Sequence, residues 1–392
     1  MDLAFSPAEE EFRLQLRRWL EENPPEEVPD TDSLDDEVRA LKVWQRRLHA
    51  GGWIGLHWPK EYGGRGASVV ENFIFAEELA RAKAPELIGR IALNLVGPTL
   101  IAHGTEEQKR RYLPEILPAE ELWCQLFSEP NAGSDLAAIS TTAVADGDDF
   151  VVTGQKVWTS YAQYAQWGIL LARTEPLQTA PKHKGISFFL ADMSSPGISI
   201  RPLQQMTGSS EFNEVFFDEV RVPRKNLVGS LNDGWRIANT TLSHERGTNA
   251  RQMVIHRQLL EELLALARTE SRGDAPAAKD PLLRQQLAQA FIEIEIMRLG
   301  NFRTLTRILR GEKPGAEGSL NKLFWSEMSQ RLHDVAFRVL GPRSQLVKGA
   351  RHAAAGGRWQ RSLLYYRAGT IFAGTSEIQR NIIAQRVLGL PR

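Results

Sequence analysis

The amino-acid sequence predicts an α+β fold in three parts: an N-terminal helical domain, a small middle β-barrel or sheet, and a C-terminal four-helix bundle. Apolar residues recur at helical spacing near both ends of the chain, whereas short β-branched and aromatic runs fill the middle. A chain of 392 residues also exceeds what one core ordinarily supports. The expected domains are 1–121, 122–230 and 231–392.

The N-terminal helices are predicted from their start signals and apolar spacing. Ser6, Pro7 and Glu9 form a helix-start pattern, and apolar residues follow one or two turns apart. The first helix is therefore expected to bury Phe12, Leu16, Trp19 and Leu20. The same spacing predicts further helices over 38–49, 71–82 and 105–116.

The middle and C-terminal parts differ sharply in pattern. Short runs bounded by Gly, Pro or Asp predict five strands: FVVTGQKVWTS, WGILLARTE, KGISFFLADM, GISIRPLQ and NEVFFDEVRVP. After Gly229 the helical period returns, and helices of this kind are typical of a bundle. They are expected over 234–270, 281–311, 318–340, 360–371 and 376–388.

Composition narrows the class of protein. Lys+Arg and Asp+Glu are both 48, so no global basic field favours nucleic acid or an anionic membrane surface as a partner. A single cysteine, Cys124, excludes an internal disulfide framework and fits a reducing compartment. The N-terminus lacks a secretory-signal pattern, and no histidine pair has metal-ligand spacing. A cytoplasmic protein without a metal site is expected.

Two segments in the middle of the chain could carry chemistry. In LFSEPNAGSDLAA, residues 126–138, Asn131, Gly133 and Ser134 place small residues and free backbone N–H groups in a tight turn that can approach phosphates. Neither a GxGxxG nor a P-loop motif is present. The second segment, GQKVWTS, ends a predicted strand; without further information Trp158 would be expected in the β-domain core.

Three motifs together resemble the acyl-CoA dehydrogenase family. EPNAGSD, GQKVWTS and AGTSEIQRN occur in that order, in α, β and α regions, and the similarity runs from about Phe5 to Leu390. The C-terminal AGTSEIQRNIIAQRVLGLP is similar to actinobacterial members that act on bulky or sterol-side-chain acyl-CoAs. The resemblance implies a role in lipid metabolism, such as fatty-acid or sterol side-chain β-oxidation.

The resemblance implies an FAD-dependent oxidoreductase. Such an enzyme removes the α proton and β hydride of an acyl-CoA to give the 2-enoyl-CoA, with FAD N5 as hydride acceptor and an electron-transfer flavoprotein as electron acceptor. Ser134 would also lie near the CoA arm. By resemblance, the FAD-binding residues are Phe127, Ser128, Gly133, Ser134, Trp158, Ser160, Thr375 and Glu377. The last two lie at a predicted helix start, where Ser376 and Gln379 have the spacing of a capping box.

The resemblance also raises the question of the catalytic base. Most members carry a glutamate directly before the Gly-Thr of the C-terminal motif, but this chain has Ala373, which cannot accept a proton. A minority place the glutamate on the first bundle helix before an arginine, and Glu245 with Arg246 matches that arrangement. Glu245 is therefore the expected base, although a solvated carboxylate paired with Arg246 is the structural alternative.

Further substrate contacts follow from the same resemblance. The backbone N–H of Ala373 would still polarise the thioester carbonyl, Phe372 would lie beside the thioester and Arg246 near CoA. The alanine also leaves volume where a carboxylate usually sits. The pocket is therefore expected to accept a branched or ring-bearing acyl group.

The sequence departs from the family in two flavin-binding segments. An Arg-x-x-Phe-Gly motif is absent from RTESRGDAPAAKDP, and Arg338 and Pro342 replace expected residues in FRVLGPRSQ. The expected assembly is a homo-oligomer (dimer or tetramer) or a heterotetramer with a second family member. The alternatives that remain open at this point are a non-catalytic, FAD-sharing subunit and another enzyme on the same fold, either a flavin monooxygenase or a nitroalkane-oxidising relative.

Overall fold

The computed structural model describes residues 4–26, 33–179, 181–243, 250–312, 315–316 and 318–391. The chain divides into two compact units. The helical unit comprises Met1–Pro24, Ser68–Ala84 and Arg246–Arg392; the sheet unit comprises Pro25–Ala67 and Pro85–Glu245. The division into domains 1–121, 122–230 and 231–392 stays a prediction.

Helices occupy both ends of the described chain, as the apolar spacing predicts. In chain order they are α1 (Pro7–Glu22), α2 (Leu34–Ala50), α3 (Val69–Arg81), α4 (Gly97–His103), α5 (Glu106–Ile116), α6 (Gly234–Ser243), α7 (Ala250–Thr269), α8 (Pro281–Leu309), α9 (Gly318–Leu340), α10 (Arg358–Arg367) and α11 (Ser376–Ile382). Among the described residues, no helix is both long and apolar enough to span a membrane.

The strands lie between the two helical regions. They are β1 (Trp123–Leu126), β2 (Thr142–Asp146), β3 (Asp149–Ser160), β4 (Trp167–Arg173), β5 (Ile186–Asp192), β6 (Ile198–Leu203), β7 (Phe212–Pro223) and β8 (Leu227–Val228), with a short hairpin of β9 (Ser271–Arg272) and β10 (Ala275–Pro276) between α7 and α8. The five predicted strands are confirmed as β3 to β7. The sequence analysis missed β1, β2, β8 and the two short strands of the hairpin, β9 and β10.

The main sheet has the strand order β6-β7-β3-β2-β4-β5-β8, and β1 pairs with β4. Pairing is antiparallel except for β1 with β4 and β2 with β4, which are parallel. One face of the sheet packs an apolar core that includes Leu126, Phe150, Leu170, Phe189 and Val215. This core fixes the register of β3 and β4, whose ends carry the residues of interest.

In the helical unit, α3 packs against α1 and α7, while α7, α8 and α9 pack against one another and α10 and α11 lie against α9. The predicted start of α1 is confirmed: Ser6 Oγ accepts from Glu9 N, and Glu9 Oε2 accepts from Ser6 N. Buried apolar residues of α1 are Phe12, Leu16 and Leu20. Trp19, which was also expected to be buried, is half-buried, and the other three residues form the apolar face that the sequence period predicts.

Candidate active site

Residues 129–141, here called the cradle loop, follow β1 and carry the EPNAGSD motif. Glu129, at the start of the loop, binds the residues at its end. Its carboxylate accepts hydrogen bonds from Ser140 N at 2.6 Å, Ser140 Oγ at 2.8 Å and Thr141 N at 3.0 Å. Glu129 and Ala132 also exchange backbone hydrogen bonds at 3.1 and 3.0 Å. A single buried carboxylate thus ties the two ends of the loop together.

Lys156 on β3 holds the same carboxylate. Its Nζ lies 2.8 Å from Glu129 Oε1 and donates to Phe127 O at 3.1 Å, and its side chain is fully buried. Burial alone raises the pKa of Glu129, but the Lys156 charge and the hydrogen bonds outweigh it and lower that pKa to about 2. The carboxylate is therefore ionised at neutral pH, inside a desolvated pair.

Arg173, at the end of β4, fixes the far side of the cradle loop. This buried guanidinium donates to Ala137 O at 2.8 Å and Ile139 O at 3.1 Å in the loop. It also donates to the carbonyls of Lys182, at 3.1 Å, and Lys184, at 3.2 Å. The planar fork of an arginine suits such multiple contacts, so the loop is anchored from two strands.

The tip of the cradle loop is open. Asn131, Gly133 and Ser134 are exposed, and a Cβ added at Gly133 would meet no heavy atom within 4 Å. Next to the loop, Ser128 O accepts from Val157 N at 2.9 Å, which brings Ser128 against the strand segment that carries Trp158 and Ser160. The loop therefore offers small residues and unobstructed space beside that strand.

Phe127 lies at the base of this arrangement. Its ring is buried and contacts Phe188 edge-on, with centroids 5.9 Å apart. The Phe127 ring is therefore part of the apolar core of the sheet unit. Its expected role at FAD stays a prediction.

Trp158 faces outward, so the core position expected from strand pattern alone is wrong. The β3–β7 register shifts between Lys156 and Thr159, and Trp158 has a left-handed backbone with φ of 60°. Its side chain is 60% exposed, with Phe212 edge-on at 6.2 Å. Such a backbone costs about 1–3 kcal/mol in a bulky residue and clusters at functional sites. The bulge inverts the alternation of the strand and presents an aromatic face.

Ser160 ends β3 two residues later. It is half-buried and pairs in register with Phe212. The sheet unit thus combines an exposed aromatic face, a nearby hydroxyl and a rigid loop with free space at a glycine. These features suit a flat ring system that bears phosphate groups.

In the helical unit, the C-terminal motif forms a tight loop before α11. Ala373 and Gly374 have φ of 52° and 86°, so two consecutive residues are left-handed. Thr375 is the N-cap, and its side chain accepts from Ile378 N at 3.2 Å. The expected capping box of Ser376 and Gln379 is wrong, because the chain is still extended at Thr375 and the helix proper begins at Ser376.

The side chain of Gln379 instead closes the loop. Its Nε2 donates to Ala373 O at 3.0 Å and to Gly374 O at 3.2 Å. Lys322 on α9 adds a 2.7 Å hydrogen bond from Nζ to Gly374 O. Two side chains from different helices therefore hold the carbonyls of this loop.

The other predicted residues of this loop differ in exposure. Phe372 is half-buried, with ring centroids 6.1 Å from Trp325 and 6.4 Å from Tyr365. Glu377 is exposed, and its pKa is lowered by its own backbone N–H and by the Thr375 hydroxyl. An acidic residue in the first turn of α11 complements the helix dipole.

Glu245 and Arg246, the expected base and its neighbour, lie outside the described residues. The sequence analysis also missed Lys156, Arg173 and Lys322. One signal for Lys156 was present, because it occupies an inward position of β3 and a buried lysine requires a partner. The described residues contain no cluster of three or more His, Cys, Asp or Glu that could hold a metal ion.

Comparison with known proteins covers nearly the whole chain. Three sequence models of one family match: "Acyl-CoA dehydrogenase, N-terminal domain" over residues 6–120, "middle domain" over 124–220 and "C-terminal domain" over 232–388. The acyl-CoA dehydrogenase IpdE1 of Mycobacterium tuberculosis is 43% identical over 390 residues, which cover 98% of each chain.

Two solved structures are similar along the full length of both chains. The ChsE4-ChsE5 complex from Mycobacterium tuberculosis is 34% identical with a TM-score of 0.86, and it covers 100% of each chain. A structure described as "Tcur3481-Tcur3483 steroid ACAD" is 32% identical with a TM-score of 0.85 and the same coverage. The predicted fold class and the resemblance to actinobacterial members are confirmed. The chain belongs to the acyl-CoA dehydrogenase family, whose members are FAD-dependent oxidoreductases that act on acyl-CoA.

Proposed function

We propose that this chain converts an acyl-CoA to its 2-enoyl-CoA, with Glu245 as the base for the α proton. Bound FAD supplies the hydride acceptor, at N5, and the electrons then pass to an electron-transfer flavoprotein. The observation that carries the proposal is the outward, left-handed Trp158 beside a cradle loop with open space at Gly133. A chain that buried this aromatic and filled this loop would have no surface for a flavin.

Each unit carries residues that we propose to contact FAD, and those of the helical unit would meet the FAD of a neighbouring subunit. In the sheet unit, Trp158 and Ser160 would contact the ring system, and the cradle loop would contact the pyrophosphate. Phe127 and Ser128 would complete this wall, and Ser134 would also contact the CoA arm. In the helical unit the proposed residues are Thr375 and Glu377. The extended N-cap and exposed first turn of α11 support that assignment.

Proton abstraction and carbonyl polarisation would come from separate residues. Ala373 has no proton acceptor in its side chain, so the carboxylate must come from elsewhere, and Glu245 stands where a minority of the family places it. Ala373 would donate its backbone N–H to the thioester carbonyl. Phe372 would pack beside the thioester, and Arg246 would lie near CoA.

The proposed substrate is a bulky acyl-CoA with a branched or ring-bearing acyl group, as in sterol side-chain β-oxidation. Ala373 is exposed and small, so it leaves room at the reacting end of the acyl group. The similar structure described as a steroid ACAD supports the same class. Cytoplasmic activity is proposed, in keeping with the free, buried Cys124.

The proposed assembly is an oligomer, either of this chain alone or with a second family member. Two similar structures are described by paired names, ChsE4-ChsE5 and Tcur3481-Tcur3483, which supports a heteromer. Ala373 also favours a second candidate function, a subunit that shares FAD while a partner chain supplies the base.

The function is tested by anaerobic titration of the purified holoprotein with straight, branched and ring-bearing acyl-CoAs. Loss of the oxidised flavin absorbance with a bulky substrate is the expected result. Fastest reduction by straight chains with none by branched ones would contradict the substrate class. A flavin that no thioester reduces would favour the FAD-sharing subunit, and oxygen consumption coupled to a hydroxylated product would favour a monooxygenase.

The open space at Gly133 gives a direct test of the proposed FAD contact. Gly133→Val is expected to leave the unfolding free energy nearly unchanged, because a Cβ meets no neighbour and the backbone is not left-handed. The added methyl groups would occupy the space proposed for the pyrophosphate. FAD affinity is expected to fall by about tenfold or more, measured by titration of the apoprotein with FAD.

Gly300→Ala is the matched control for this variant. Gly300 lies on α8, where an added Cβ would make an ordinary contact at 3.5 Å with Asn321. FAD affinity should stay unchanged, and helix propensity favours the alanine by about 0.5–1 kcal/mol. Unchanged FAD affinity in Gly133→Val as well would remove the cradle loop from the flavin site.

A further inference from the structure

The loop before α11 is held in place by α9. Lys322 on this helix donates from Nζ to Gly374 O at 2.7 Å, and Trp325, one turn later, packs against Phe372 with ring centroids 6.1 Å apart. Both contacts join residues far apart in sequence. The helix therefore fixes the position of the loop at two points.

The loop has a conformation that needs such support. Ala373 has a left-handed backbone with φ of 52°, which is an unfavourable conformation for alanine, and Gly374 follows with φ of 86°. A Cβ added at Gly374 would approach Gln379 Nε2 to 2.6 Å, so the loop and that side chain are in close contact. A strained backbone of this kind persists where contacts with surrounding groups hold it in place, which is often at functional sites.

The held carbonyls determine where the N–H groups point. In a planar trans peptide the C=O and the next N–H are antiparallel. With Ala373 O and Gly374 O bound by Gln379 and Lys322, the N–H groups of Gly374 and Thr375 point away from those two side chains. Neither of these N–H groups, nor that of Ala373, donates to another residue that the structure describes.

Lys322 does more than satisfy a carbonyl. Gln379 already donates to Gly374 O at 3.2 Å, so that oxygen has a partner without the lysine. Lys322 is half-buried, and this burial lowers its pKa because it disfavours the charged form, while Glu377 and Glu327 oppose the shift. A cation on Gly374 O also strengthens the Thr375 N–H, because both belong to one peptide unit.

We propose that Lys322 is a positioning residue for the dehydrogenation: it orients the Ala373–Thr375 backbone so that its N–H groups meet the thioester carbonyl and the flavin. This inference rests on the proposed function. Lys322 acts through the backbone, and the contact with the substrate is made by the N–H groups. Its positive charge also favours the negative charge that develops on the carbonyl oxygen when the α proton leaves.

The test compares Lys322→Met, Lys322→Arg and Arg331→Met in the FAD-loaded full chain. Arg331 is the matched control, an exposed cation on α9 that pairs with Glu293 at 3.0 Å. Dissociation constants are measured by calorimetry for a ring-bearing 2-enoyl-CoA, which has the thioester carbonyl, and for free CoA, which lacks it. Neither ligand needs to be turned over.

Lys322→Met is expected to weaken 2-enoyl-CoA binding by about tenfold and leave CoA binding unchanged. Lys322→Arg should restore most of the loss, and Arg331→Met should match the native protein. Equal weakening of both ligands, or native binding of both, would overturn the proposal. If Lys322→Met does not retain FAD, Lys322→Gln replaces it under the same criteria.

The binding assay also separates the two proposals. A native chain that binds 2-enoyl-CoA more tightly than CoA, but whose flavin no acyl-CoA reduces, would overturn the proposed dehydrogenation and leave the Lys322 comparison valid. A native chain that reduces its flavin with acyl-CoA, but whose Lys322 variants bind 2-enoyl-CoA normally, would overturn only the role of Lys322.

Discussion

Glu245→Gln is expected to slow reduction of the flavin by acyl-CoA by a factor of about 10²–10⁴, the range for loss of a general base. Glutamine keeps the size of the side chain but cannot take the α proton, and Ala373 offers no substitute. The measurement is a single-turnover reaction under anaerobic conditions, followed at the flavin absorbance. FAD content is determined first, so that lost cofactor is not counted as lost catalysis.

Glu261→Gln is the matched control. Glu261 is an exposed carboxylate on α7 that pairs with Arg257 at 3.0 Å, and such pairs contribute only about 0–1 kcal/mol. Its replacement should leave the reduction rate unchanged. A native rate in Glu245→Gln, with full FAD content, would show that the base lies elsewhere and would favour the FAD-sharing subunit.

Much of the fold could be predicted because its signals are local. The start of α1 is encoded by Ser6 and Glu9, and strands β3 to β7 have apolar runs bounded by turn residues. Strand β2 was missed because its sequence, TAVAD, is short and mostly exposed. It is a strand because β3 pairs with it across a tight turn at Gly147, where φ is 60°.

The site was less predictable because the side chains that hold its loops in place are distant from those loops in sequence. The motifs indicate which segments matter, but Lys156 reaches Glu129 across 27 residues and Lys322 reaches Gly374 across 52. No local pattern specifies such partners. Trp158 shows a second limit, since one bulge inverts the alternation that would otherwise place it in the core.

Lys156→Met is expected to lower the unfolding free energy of the chain by about 3–5 kcal/mol, the range for breaking a buried ion pair. The substitution leaves the Glu129 carboxylate buried without its cation and removes the hydrogen bond to Phe127 O. Because Glu129 closes the cradle loop, FAD affinity should fall as well. Denaturant unfolding of the apoprotein gives the first quantity, and FAD titration gives the second.

Lys182→Met is the matched control, since Lys182 pairs with Asp135 of the same loop at 2.9 Å but both groups are exposed. Its expected cost is about 0–1 kcal/mol. Equal destabilisation by the two variants would contradict the importance of burial at Lys156.

The double variant Glu129→Gln, Lys156→Met separates the ion pair from the packing around it. With no charge left buried, it should recover part of the stability lost in Lys156→Met alone, because an unpaired buried charge costs more than a neutral pair.

The unfolding free energy of the double variant should also depend less on pH in the acidic range. The folded pKa of Glu129 is lowered from 4.5 to about 2, so its contribution is complete above pH 4.5 and lost as the pH falls toward 2. The difference in unfolding free energy between the native protein and the double variant should therefore shrink as the pH falls through that range. A difference that stays constant would mean that the Glu129 charge does not stabilise the loop.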